Sequence, residues 1–276
     1  MQQRVLCEVD SRGIATMTLN RPDKHNAFDD AMINEMVDHL QTLAQDASIR
    51  ALIVAGTGKS FSAGADLAWM QRMAEYDRDA NLADAQQLAL LMRLLDDFNR
   101  PTLALVNGAA FGGAVGLMAC CDSVIAVDSA KFCLSEVRIG LIPAVISPFV
   151  ANKLGNSWGR HLMTSAAVFD AAQGREVGLV HQVVTMDQLA AAGEQWIKQT
   201  LNNSPEAVAH IKQLLRKFDS NAPLAKESLA NTEAATTGAI ADIRVSEAGQ
   251  AGLQAFLTKQ PAPWQQSQEE HQKNER

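Results

Sequence analysis

Two short stretches of the chain carry residues whose types and spacing suit chemistry at the main chain: SFSAGADL at 60–67 and NGAAFGGAVG at 107–116. Both place glycine and alanine where a strand-like run gives way to a loop. Residues without bulk let a ligand approach the backbone, and N–H groups presented there can donate to an oxygen that turns negative during a reaction. Two such donors aimed at one point make an oxyanion hole. Either stretch alone reads as a tight turn just as well, but the pair, following successive parallel strands, points to a ligand crevice. A third stretch, LSEVRIG, sets Glu136 among apolar neighbours and two residues before Arg138. Its carboxyl is either half of a solvated ion pair or, in a water-poor cleft, an acid of raised pKa that can give or take a proton.

Other chemistries fail on spacing. AGTGKS at 55–60 lacks the glycine a phosphate-binding loop needs five residues before Gly58, where Ile53 stands. Gly112 and Gly113 are adjacent, so no G-x-G-x-x-G fingerprint forms. None of the six histidines falls in a metal-binding spacing, His161, His181 and His210 lie on different elements, and no G-x-S-x-G elbow occurs. A formal net charge of −7 argues against nucleic acid or an anionic membrane as partner. Cys7, Cys120, Cys121 and Cys133 form neither CxxC pairs nor a secreted disulfide framework, the opening MQQRVLCEVDSRG is unlike a signal peptide, and no apolar run is long enough to span a bilayer. The expectation is a cytoplasmic protein acting on a small molecule.

The elements that must position these residues follow from periodicity. VLCEVDSRGIATMTLNRP predicts a hairpin around an SRG turn, and Asp29 to about Ala44 predicts a helix capped by Asp29 or Asp30. IRALIVAG reads as a buried strand, 81–99 as an amphipathic helix ended by Arg100-Pro101, and TLALVN as the next strand. SVIAVDSAKFCLS and VGLVHQVV continue the alternation, which predicts an α/β core with largely parallel pairing. After about Ala190 the pattern is helical, with stripes of Leu189, Trp196 and Ile197, then Val208, Ile211, Leu214 and Leu215, that must bury against the core or another subunit. The WMQRMAEYDRDAN segment looks mobile, and the end PAPWQQSQEEHQKNER is polar.

FSAGADL, NGAAFGGAVGLMACCD and AKFCLSEVRIGLIPA, in that order and spacing, resemble the crotonase (enoyl-CoA hydratase/isomerase) superfamily, and the likeness runs from LNRPDKHNAF near 19 to AFLTKQPAPW near 264. The resemblance implies a crotonase-like spiral of repeated ββα units over 1–190, a C-terminal helical region over 191–264 that packs trimers, often paired as hexamers, and a polar tail over 265–276. It also implies an acyl-CoA thioester substrate, with coenzyme A belonging to the substrate and no separate cofactor. Carried over by position, the two oxyanion donors fall on Ala65 and Gly113, and a helix starting just after Gly112-Gly113 would aim its positive end at the thioester oxygen. Of the two glutamates typical of the family's hydratases, Glu136 is the second, and Gly116 stands where the first would be. One carboxyl suffices for an isomerase, whereas a hydratase needs Glu136 itself, another side chain or a substrate carboxylate to activate water.

More finely, GGAVGLMACCD followed by LSEVRIGLIPAVISPFV resembles bacterial 3-methylglutaconyl-CoA and γ-carboxygeranoyl-CoA hydratases. This implies hydration of 3-methylglutaconyl-CoA to 3-hydroxy-3-methylglutaryl-CoA in leucine breakdown, with a single-glutamate isomerase and a catalytically inert binding or assembly protein as the alternatives. A substrate with a distal carboxylate calls for a cation, and Arg138, Arg72 and Arg78 are the candidates. For coenzyme A the resemblance points to Lys24, Ala63, Asp66 and Leu67, and to Phe256 and Lys259 reaching a neighbouring subunit's ligand.

Overall fold

The computed structural model describes residues 3–203, positions 205, 208–209, 211–212 and 215 beyond them, and residues 226–260. The predicted hairpin forms as β1 (Val5–Val9) and β2 (Ile14–Leu19), antiparallel. Gly13, at φ 80°, makes the turn, and a Cβ there would lie 2.2 Å from the Ser48 carbonyl oxygen. Helix α1 (Asp30–Gln45) buries Met32, Ile33, Met36, Val37, Leu40 and Leu43 at helical spacing. Its cap is Asp29, whose Oδ1 accepts the Met32 N–H at 2.8 Å while Oδ2 meets Arg21 at 3.0 Å.

The body is built from a repeat in which one strand joins a large sheet and the next a small one. β3 (Ala51–Gly56), β5 (Thr102–Val106) and β7 (Ser123–Val127) pair in parallel in the large sheet, while β4 (Ser60–Ser62), β6 (Ala109–Phe111) and β8 (Lys131–Cys133) pair in parallel in the small one. After these pairs come α2 (Leu67–Ala74) and α3 (Arg78–Asp96), then α4 (Gly113–Cys120), then α5 (Ser147–Ser165). β9 (Phe169–Asp170) closes the small sheet antiparallel to β8, α6 (Ala171–Glu176) follows, and β10 (Gln182–Val184) adds to the edge of the large sheet beside β7. The large sheet therefore runs β1-β2-β3-β5-β7-β10. This is the spiral of ββα units expected from the sequence. Each turn brings the end of a short strand, and the loop after it, to the same side of the molecule.

Among the described residues strands end at Val184, and helices follow: α7 (Leu189–Leu201), α8 (Lys226–Val245) and α9 (Glu247–Leu257). α8 lies along α3, joined by Arg93 to Glu233 at 3.6 Å and Arg244 to Asp84 at 3.1 Å, and α9 packs on α2. Of the stripe at 208–215, Ile211 and Leu215 are 45% and 59% exposed in the single chain, and Leu214 lies outside the described residues, as do His210 and the polar tail from 261. The segment that looks mobile in the sequence is instead α2 and the start of α3. Trp69, Met70 and Met73 are buried on the inner face of α2, a stripe at i, i+1 and i+4 too short to stand out from the charged residues around it. No helix among the described residues is long and apolar enough to cross a membrane.

Asp29 both caps α1 and holds Arg21, so Asp29→Ala is expected to lower unfolding stability by about 1–2 kcal/mol in urea titrations, with an unchanged m-value.

Candidate active site

The two Gly/Ala stretches meet beside Phe28. Phe28 forms a parallel bridge with Ala65, in which its N–H donates to the Gly64 carbonyl at 2.7 Å and its carbonyl accepts the Asp66 N–H at 2.7 Å. The bridge uses the groups flanking Ala65, so the N–H of Ala65 itself faces the opposite way. The Phe28 ring packs against Gly113, where a Cβ would stand 3.1 Å from it. The two loops also touch directly, since a Cβ on Gly64 would come within 3.0 Å of the Phe111 carbonyl oxygen. Ala65 and Gly113 are thereby brought to one cavity of about 490 Å³, which both of them line.

Gly113 is the first residue of α4, and the first N–H groups of a helix have no acceptor within it. The preceding Gly112 has φ 54° and ψ −124°, a conformation closed to residues with side chains, and its own N–H donates to the Cys133 carbonyl at 2.9 Å. That bond ties the start of α4 to the end of β8. The helix has no acidic residue in its first turn and is buried almost throughout, and its positive end lies at the cavity with the Glu136 carboxyl against it.

Glu136 opens a 3-10 turn two residues beyond the Leu134 that follows β8. Its Oε1 lies against Gly112, where a Cβ would come to 3.1 Å, and its buried Oε2 has no hydrogen-bond partner among the described residues. Burial raises its pKa from 4.5 to about 7, opposed only weakly by a hydrogen bond from its own backbone. No ion pair joins it to Arg138, whose Nη2 donates to the Ala166 carbonyl at 2.5 Å. The arrangement sets one carboxyl, able to exist in either protonation state near neutrality, in the same mostly apolar cavity that Ala65 and Gly113 line. Such a chamber can accumulate negative charge on a bound carbonyl oxygen while one proton moves.

The space where a second acid would stand is filled. A Cβ on Gly116 would come within 2.4 Å of Ile146 Cγ2 and 2.8 Å of its Cβ, with Met92 behind. Ile146 reaches in from AVISPFV, thirty residues along the chain, and lines the cavity in place of a carboxylate.

The remaining expected site residues divide. Ala63 lines the cavity rim, and Lys24 and Leu67 are exposed nearby, with the Lys24 amine 3.4 Å from Asp66. Asp66 is 3% exposed: its Oδ1 caps α2 through Ala68 and Trp69, and its Oδ2 binds Arg21 at 2.9 Å. Its carboxylate is thus occupied within the fold. Phe256, expected to reach a neighbour, lines the cavity of its own chain, whereas Lys259 is exposed and not among the lining residues. Arg72 pairs with Asp30 at 2.7 Å, and Arg78 with Asp242, so neither is brought to the cavity. The cation that sequence reasoning missed is Arg244, in ADIRVSE on α8. It is buried, lines the cavity, and pairs with Asp84, which also accepts the Trp69 indole N–H at 3.0 Å. An arginine in a polar-looking helical run carries no local signal of burial; only the packing of α8 on α3 reveals it.

Comparison with known proteins agrees with this geometry. The sequence profile of the Enoyl-CoA hydratase/isomerase family matches residues 10–268. The chain is 33% identical over 262 residues to the 2,3-dehydroadipyl-CoA hydratase of Escherichia coli, covering 94% of each protein. It is 31% identical to the hydroxycinnamoyl-CoA hydratase-lyase of Pseudomonas fluorescens, covering 72% of this chain and 74% of that protein. Among solved structures, an enoyl-CoA hydratase from Shewanella pealeana shares 45% identity and superposes with a TM-score of 0.77 over 95% of this chain and 96% of its own.

Two outcomes follow from the site as built. Gly116→Glu is expected to destabilise by about 1–3 kcal/mol or more through collision with Ile146, and Ile146→Ala in the same chain to recover part of that loss in thermal unfolding. Because the folded pKa of Glu136 is raised, its contribution to stability is fully present below pH 4.5 and is lost as pH rises toward 7. Relative to Glu136→Gln, the wild type is therefore expected to lose about 3 kcal/mol between pH 4.5 and pH 8 in paired denaturation curves.

Proposed function

The chain belongs to the enoyl-CoA hydratase/isomerase family, and from that premise we propose that it adds water across the double bond of a branched enoyl-CoA that carries a distal carboxylate, 3-methylglutaconyl-CoA giving 3-hydroxy-3-methylglutaryl-CoA in leucine breakdown. The observation that carries the hydratase reading is the Glu136 carboxyl beside the N-terminus of α4, whose buried Oε2 has no partner among the described residues. A buried acid of perturbed pKa in a cleft costs stability and marks a site that uses it, which weighs against an inert binding protein. In this reading the Ala65 and Gly113 N–H groups hold the thioester oxygen as it becomes an enolate, and losing either is worth about 3–4 kcal/mol of barrier. Glu136 as carboxylate takes a proton from water while the oxygen forms its bond to the β-carbon. The resulting acid then returns that proton to the α-carbon, so one group serves both steps and water's atoms are fully accounted for.

The dicarboxylic preference draws on two supports. One relative bears the name 2,3-dehydroadipyl-CoA hydratase, and an adipyl chain ends in a carboxylate. Two arginines, Arg138 and Arg244, line this cavity although its walls are otherwise mostly apolar. Lys24, Ala63 and Leu67 serve the coenzyme A portion, the backbone at Asp66 borders it, and Phe256 and Lys259 reach the coenzyme A of a neighbouring subunit's ligand. Trimers, paired as hexamers, complete the reading, with exposed Ile211 and Leu215 as apolar surface for a neighbouring subunit to cover. Placement in the cytoplasm belongs to the same reading.

One observation favours a second chemistry. With Ile146 filling the first-acid position, the site holds a single carboxyl, which is all that an isomerase shifting a double bond requires. Following thioester absorbance with crotonyl-, 3-enoyl- and 3-methylglutaconyl-CoA separates the two. Hydration of 3-methylglutaconyl-CoA, slowed by about 10²–10⁴-fold in Glu136→Gln, is the expected result; turnover of the 3-enoyl compound alone would establish the isomerase.

A further inference from the structure

We propose that Arg244 is the residue that selects a dicarboxylic acyl-CoA, by binding the distal carboxylate of the acyl chain within the cavity. The inference rests on the dicarboxylic substrate proposed above and assigns its recognition to one side chain.

Arg244 is 7% exposed, and its guanidinium meets one protein carboxylate, Asp84, through Nη1 at 3.1 Å. Its Nε is buried with no partner among the described residues. A buried, unmatched N–H on a permanent cation is costly, and it marks a donor that a bound acceptor can satisfy. The guanidinium offers a planar fork, so one edge can stay on Asp84 while another takes a second carboxylate. Asp84 is itself fixed by the Trp69 indole N–H at 3.0 Å, and Trp69 lines the same cavity. The chain Trp69–Asp84–Arg244 thus holds the cation at a set place between α2, α3 and α8.

The other candidates are less suited. Arg72 and Arg78 are engaged at the surface by Asp30 and Asp242. Arg138 does line the cavity, but it is exposed, and its Nη2 is held by the Ala166 carbonyl. An exposed cation discriminates weakly because water competes for it, whereas a buried one with a free donor discriminates strongly. A monocarboxylic acyl chain leaves the Nε of Arg244 unmatched. A dicarboxylic chain supplies the missing acceptor.

The test compares two non-reacting ligands that differ by the distal carboxylate, glutaryl-CoA and butyryl-CoA, by titration calorimetry on the full chain. Wild type is expected to favour glutaryl-CoA by on the order of 100-fold. Arg244→Gln is expected to bring that ratio to about one, and Arg244→Lys, which keeps the charge and loses the fork, to leave about 10-fold. Because Arg244→Gln strands Asp84, the double variant with Asp84→Asn repeats the measurement with a neutral pair that still accepts from Trp69; it too is expected to show no preference. If the preference persists in Arg244→Gln or in the double variant, Arg244 is not the selector, although the dicarboxylic substrate stands. If wild type itself shows no preference, the dicarboxylic reading falls and takes this assignment with it.

Discussion

A buried carboxylate oxygen with no hydrogen-bond partner is expensive, and the Oε2 of Glu136 is such an atom among the described residues. Its position depends on three constraints at once. The Gly112 N–H to Cys133 carbonyl bond fastens the start of α4 to the end of β8, from which Glu136 follows directly. Gly112 has no side chain, so the carboxyl can lie against the backbone. Burial of the side chain keeps from it the water that would return its pKa to the ordinary range. Remove any one, and the acid either moves or regains a solvated pKa.

The same economy of parts explains the main-chain donors. An N–H is available to a ligand only when the surrounding pairing leaves it out, and two different devices do so here. The parallel bridge to Phe28 turns the Ala65 N–H away from the strand it pairs with, while the Gly113 N–H is left over because a helix cannot satisfy its own first turn. Phe28 links the two loops, bonded through its backbone to one and packed by its ring on the other. Strand pairing, helix start and one buried aromatic together set the site's geometry.

Much of this was legible in the residues. The hairpin, α1 with its Asp29 cap, the alternating strands and the helical end follow from period and punctuation, because those signals are local. The Gly/Ala stretches announced small-residue loops, and their order announced a family. What escaped was whatever depends on distant chain segments meeting. Helix α2 was hidden because its buried stripe is short and set among charges. The surface pairing of Arg72 and Arg78 depends on Asp30 and Asp242, far away in sequence. The resemblance points to Asp66 for coenzyme A, and the engagement of its carboxylate by Arg21 and by the N-terminus of α2 is visible only in three dimensions. Arg244 was invisible for the same reason: nothing nearby in ADIRVSE tells that α8 packs this face against α3.

The contact between Gly116 and Ile146 constrains both positions. The two positions share one volume, so it can be taken up by an acid on α4 or by a branched aliphatic at the start of α5, never by both. A glutamate introduced at 116 alone arrives in occupied space and strains the fold. Loss of Ile146 alone would leave a void. The two positions are sterically coupled, so the size of the side chain at one limits what the other can carry.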